Sequence, residues 1–201
     1  MQMPDLTVGP KPLGKSERWL TSDNYPPGSL IKSGISEFEL FVDRAGRAAG
    51  CRVKKSSGTA DLENAACKAF QLRGRWNPAV DPNGQPIFSV FRKRIKRVGQ
   101  NARGEFDPIP QYPDIEVEVA RLPVPPIRAF VVVRQIQRAD GTLEHCEVTS
   151  PSPSKALNAA ACKLAAPLAG TEPIRDKAGN PVRGARWRIV RFMEKQPARV
   201  G

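Results

Sequence analysis

Four cysteines are the residues of this 201-residue chain best suited to chemistry, and their spacing is regular. Cys51 and Cys67 stand 16 apart, Cys146 and Cys162 stand 16 apart, and the pairs are offset by 95 residues. Zinc binding fits poorly: there is no C-x-x-C, and His145 is the only histidine. Buried free thiols are a second possibility, since unpaired cysteine packs readily in cores. Pairing of Cys51 with Cys67 and of Cys146 with Cys162 is favoured, because both members recur in both places. Each bridge would close a short loop worth about 3 kcal/mol in the chain-entropy model. Paired cysteines imply an oxidising compartment.

Other reactive groups are scattered. His145 has Gly50 as its counterpart 95 residues earlier, so the only imidazole is not repeated. Asp61 and Glu63 read as charges at a helix start, and Glu116 and Glu118 alternate on an extended segment. Gly99–Gly104 opens no helix and fails the context test for a phosphate loop. The expectation is a binding protein and not an enzyme, with no cofactor, metal or catalytic group. The net charge of +12 attracts anions. The run Arg92-Lys93-Arg94-Ile95-Lys96-Arg97 could touch an anionic polymer. It reads better as a solvated strand whose charges discourage edge aggregation. Nucleic acid is an unlikely partner: neither exposed stacking aromatics nor a reading helix is evident.

These residues must be held by some scaffold, and the scaffold is repeated. Arg44–Ile87 laid on Ala139–Val182 gives 13 identities in 44 positions without a gap. They include Gly46/Gly141, Leu62/Leu157, Pro78/Pro173, Asp81/Asp176, Gly84/Gly179 and Pro86/Pro181, types that shape the backbone. In copy one, Phe38, Leu40 and Val42 alternate with Glu39, Phe41 and Asp43, a strand with one apolar face. Ala48–Lys55 returns as a second strand after a turn at Gly46. Thr59 is placed to cap a helix over Ala60–Arg73 that stops at Gly74. A last strand runs Ile87–Val98. Copy two follows: Phe130–Arg138, Thr142–Thr149, a helix over Ser154–Ala166 and a strand over Gly184–Met193. Ala165 and Thr171 stand where copy one has Phe70 and Trp76, so the second core must pack differently.

The expected class is α+β: two small modules, each a β-hairpin, a helix and a third strand, forming a three-stranded antiparallel sheet with one packed helix. The expected division is an N-terminal segment 1–18, module one 19–98, a linker 99–111, module two 112–194 and a tail 195–201. No apolar run approaches the roughly 18–20 residues of a membrane span. Residues 1–15 show no signal-peptide core, so the chain is either cytosolic or a mature or trimmed form.

Several short motifs then resemble the TonB C-terminal domain. They are Tyr25-Pro26, Glu37–Asp43 with Gly46, Ser56-Ser57-Gly58 followed by Leu62 and Ala65-Ala66, and Arg75-Trp76-x-Pro78-Ala79. Copy two keeps Tyr112-Pro113, Leu157, Ala160-Ala161-Cys162 and Pro173 but lacks the tryptophan. The resemblance implies a periplasmic domain of Gram-negative bacteria that pairs with the TonB box of an outer-membrane transporter by strand addition. The corresponding edge is Ile87–Arg97, with Phe88, Val90, Phe91, Arg92 and Arg94 as candidate contacts, and in copy two Arg186–Met193. The membrane helix and Pro-rich spacer of a TonB energy transducer are missing from these residues. The alternative is an envelope adaptor that binds an anionic polymer through its basic surface, without energy coupling.

Overall fold

In a computed structural model, residues 9–26, 34–97 and 113–195 are described. Their class is mixed α+β, with two helices and eight strands in place of two sets of three. The described residues divide into two compact units: 9–97 with 173–185, and 113–172 with 186–195.

The first unit contains β1 (Gly34–Val42), β2 (Ala48–Lys55), α1 (Ala60–Arg73), β3 (Ala79–Val80) and β4 (Pro86–Arg97). β1 pairs antiparallel with β2 on one side and with β4 on the other. Phe38, Leu40 and Val42 point toward α1, where Ala66 and Phe70 meet them. Trp19, Trp76 and Phe91 complete this core. The two indole rings lie 4.6 Å apart, edge to face, a favoured aromatic geometry. The opposite face is not solvated as the alternation implied. Glu39 and Phe41 are buried, and Phe41 packs with Val90, Ile174, Phe88 and Val182. The covering residues Ile174 and Val182 are 130 positions or more from Phe41 in sequence, so no local pattern announces them.

Gly74 ends α1, but not by a left-handed turn. Its φ is −63°, and a Cβ there would collide with the Trp76 ring and the Phe70 carbonyl. Space for the indole is what demands glycine. Thr59 makes no side-chain cap on α1. Two short 3-10 turns, Ser16–Trp19 and Ser22–Asn24, precede the hairpin. The expected linker 99–111 lies outside the described residues.

The second unit contains β5 (Ile115–Val119), β6 (Phe130–Gln137), β7 (Leu143–Ser150), α2 (Lys155–Ala165) and β8 (Gly184–Glu194) from Arg186 onward. β6 lies between β8 and β7, and β5 adds in parallel to β8, pairing Ile115 with Val190 through Val119 with Glu194. The core is aliphatic: Val131, Val133, Leu157, Ala161, Val190 and Phe192. Ile115, Val117, Val119, Leu122 and Val124 pack against it, which supplies volume that the alanine at 165 and the threonine at 171 do not. A buried ion cluster ties β5 to β8. The Arg188 guanidinium donates to Asp114 at 3.3 Å and to Glu172 at 3.0 Å, while Asp114 also accepts the Ile189 N–H at 2.8 Å. Helix α2 is capped by Ser154, whose hydroxyl accepts the Leu157 N–H.

Candidate functional site

Chemistry at the expected sites begins with the sulfurs. Cys51 is bonded to Cys67 and Cys146 to Cys162, with Cα separations of 5.6 and 5.9 Å. Each bridge ties the return strand of a hairpin to the following helix, so neither sulfur pair offers a thiolate. His145 lies 3.6 Å from Glu147 on β7. Among the described residues, no group of three or more His, Cys, Asp or Glu could hold a metal ion. No described helix is long and apolar enough to cross a membrane.

The loop entering each helix is braced by a side chain one turn inside it. In the first unit the Ser57 N–H donates to the Glu63 carboxylate at 2.6 Å, and the hydroxyls of Ser36, Ser56 and Ser57 add bonds of 2.9–3.1 Å. Burial pushes the Glu63 carboxyl up, but these donors together outweigh it and hold the group below its ordinary value. In the second unit the Ser152 N–H donates to Asn158 at 2.8 Å, and Asn158 returns a bond to the Ser152 carbonyl at 2.9 Å. Positions 63 and 158 are 95 apart, so different side chains do one job. Identity counting misses this. The signal was a hydrogen-bonding residue at the same offset in both copies.

A cross-strand ion pair repeats with reversed sign. Glu39 on β1 faces Arg52 on β2, and the two are bonded. Lys54 approaches the same carboxylate at 3.5 Å. In the second unit Arg134 on β6 faces Glu147 on β7 at 2.6 Å. Glu39 and Arg134 are 95 apart, as are Arg52 and Glu147.

The expected edge strands have the following neighbours. β4 is flanked by β1 and, at Phe88 and Ser89, by Gly184 and Ala185 in parallel. The close approach depends on Gly184, because a Cβ there would sit 2.6 Å from the Phe88 carbonyl oxygen. Of the candidate contacts, Phe88 therefore has a neighbouring strand, and the side chains of Val90 and Phe91 are buried in the cores. Arg92 and Arg94 are half-buried, with Arg94 3.4 Å from Glu37. The second candidate edge, Arg186–Met193, is covered by β5 from Val190 onward and is buried for most of its length. The outer strands are β2 in the first unit and β7 in the second, each hydrogen-bonded to one neighbour in the strand order. Elsewhere, a groove of ≈ 520 Å³ lies between Asp23–Asn24 and α1, lined also by Asp61, Asn64, Lys68 and Leu72. Nothing in it converges on a ligand.

Compared with known proteins, residues 30–94 match the family model of the Gram-negative bacterial TonB protein C-terminal. The match runs through β1, β2, α1, β3 and most of β4 and takes in about a third of the chain. Searches of curated proteins and of solved structures return no match.

Proposed function

We propose, from the TonB C-terminal match over residues 30–94, that this chain is a protein-binding module of the Gram-negative cell envelope. It holds an extended segment of a partner by strand addition at a sheet edge. The family match carries this reading, and the outer strand β2 of the matched unit supplies the place. Backbone N–H and C=O groups of such a strand bind a partner with little demand on side chains. The two disulfides fit an oxidising compartment, and the proposed location is the periplasm. The proposed partner is a TonB-dependent outer-membrane transporter. The chain itself is read as two copies of one duplicated module, since β2 and β7 begin 95 residues apart, as do α1 and α2.

A peptide with the sequence of a transporter TonB box tests this. Hydrogen exchange of the chain is followed by mass spectrometry with and without the peptide. Slowed exchange on β2, lost when a proline replaces the central residue of the peptide, supports strand addition. The protection should persist between roughly 0.05 and 0.5 M salt, where surface charge contacts are heavily screened. No protection, or protection that salt removes and the proline leaves alone, overturns the proposal.

A further inference from the structure

We infer that the chain associates head to tail, the outer strand β7 of one copy adding to the outer strand β2 of another. This rests on strand addition as the binding mode and names a second occupant for the edges.

The two strands match in length and oppose each other in charge. β2, Ala48–Lys55, is eight residues long and carries Arg52, Lys54 and Lys55 with no acid. β7, Leu143–Ser150, is also eight residues long and carries Glu144 and Glu147 with no lysine or arginine. Lys55 and Glu144 are exposed, and the side chains of Arg52, Lys54 and Glu147 retain 41%, 31% and 40% of their accessibility. These charges thus reach the margins even while Arg52, Lys54 and Glu147 also contact neighbours within their own hairpins.

Like charges directly opposite on paired strands are destabilising, and opposite charges stabilise. Two β2 strands would bring six cations together, and two β7 strands four carboxylates. Only the mixed pairing sets cations against acids. Lysine on an edge ordinarily protects it from copies of itself. Here the same chain carries the complementary edge, in a molecule whose overall charge is +12. The contact joins different surfaces, so a pair of copies keeps one edge of each kind, β2 on one copy and β7 on the other.

Two variants and their mixture test this by sedimentation velocity. Glu144→Lys/Glu147→Gln makes β7 basic and keeps an acceptor for Arg134. Lys54→Gln/Lys55→Gln removes two of the three cations of β2, adds no acid that the altered β7 could pair with, and keeps a donor for Glu39. The wild-type chain should associate with rising concentration. Each variant alone should associate about ten-fold more weakly or worse, the scale expected from two cross-strand charge pairs. An equimolar mixture should recover wild-type affinity and stop at two chains, because each variant retains one intact edge. Circular dichroism and absence of free thiol confirm folding, and the exposed single change Glu144→Lys is the milder backup.

A wild-type chain that stays single at every concentration overturns the inference. So does a mixture no tighter than its components, or one that grows past two chains. If the TonB-box peptide still protects β2 while no self-association occurs, only the head-to-tail contact falls.

Discussion

Loss of one disulfide should cost the same in either unit, although the cores around them are built from different residues. Both bridges span 16 positions. The loop-closure expression gives about 10 cal/mol/K for such a loop, or about 3 kcal/mol at 25 °C for each bridge. Core quality does not enter it, because the effect acts on the unfolded chain. The variants are Cys51→Ala/Cys67→Ala and Cys146→Ala/Cys162→Ala. The three tryptophans make the assay separable: Trp19 and Trp76 belong to the first unit and Trp187 to the second. In a Trp187→Phe background, fluorescence follows the first unit through urea, and in a Trp19→Phe/Trp76→Phe background it follows the second. With a urea slope of roughly 1–2 kcal/mol/M for units of this size, each midpoint should fall by about 1.5–3 M. A loss below about 1 kcal/mol in one unit against about 3 in the other would refute equal loop entropy. The bridges would then act through native packing, and the aromatic and aliphatic cores would set their worth.

Glu63→Gln should flatten acid denaturation. The folded carboxyl lies below its ordinary value, so its stabilisation is present above the unfolded carboxylate pKa and is lost as pH falls through the folded one. A urea midpoint measured from pH 7 down to acid should therefore drop less steeply in the variant. Trp76→Ala should destabilise the first unit by about 3–5 kcal/mol, read by denaturation, because it removes a buried ring packed edge to face on Trp19 and at a tilt on Phe91. Asp114→Ala should cost about 1–3 kcal/mol in the second unit, because the Ile189 N–H loses its acceptor and Arg188 keeps only Glu172 as a counter-charge, with faster hydrogen exchange in Ile115–Val119 as the local readout. Gly184→Ala should cost about 1–3 kcal/mol, since its Cβ would press on the Phe88 carbonyl, and exchange at Phe88–Ser89 should rise with it.

The hairpins, helices and last strands were legible because each rests on short-range pattern. Alternation along Phe38–Val42, the helix formers of Ala60–Arg73 and the cysteine spacing all lie within a few turns of chain. What stayed hidden depends on residues distant in sequence. Phe41 looked solvent-facing, but Ile174 and Val182 pack against it, and Glu39 on the same face is buried as well. Ile115–Val119 looked like an extended segment, and only its parallel register with Val190–Glu194 makes it a strand. The neighbour of the expected edge was hidden for the same reason: Gly184 and Ala185, which pair with Phe88 and Ser89 of β4, lie nearly 100 residues away in sequence. The cap at Thr59 failed more locally. Glu63, one turn into the helix, takes the donors of the entering loop in its place.

The reversed ion pair bears on how two similar halves of one chain avoid confusing their strands while folding. If β1 took β7 as its partner, Glu39 would face Glu147; if β6 took β2, Arg134 would face Arg52. Both errors place like charges opposite one another, and Glu39 is a position without access to water that could screen it. Tandem modules are prone to exchange of equivalent elements during assembly. The polarity of a single cross-strand pair, opposite in the two halves, works here as a proofreading step written into the sheet.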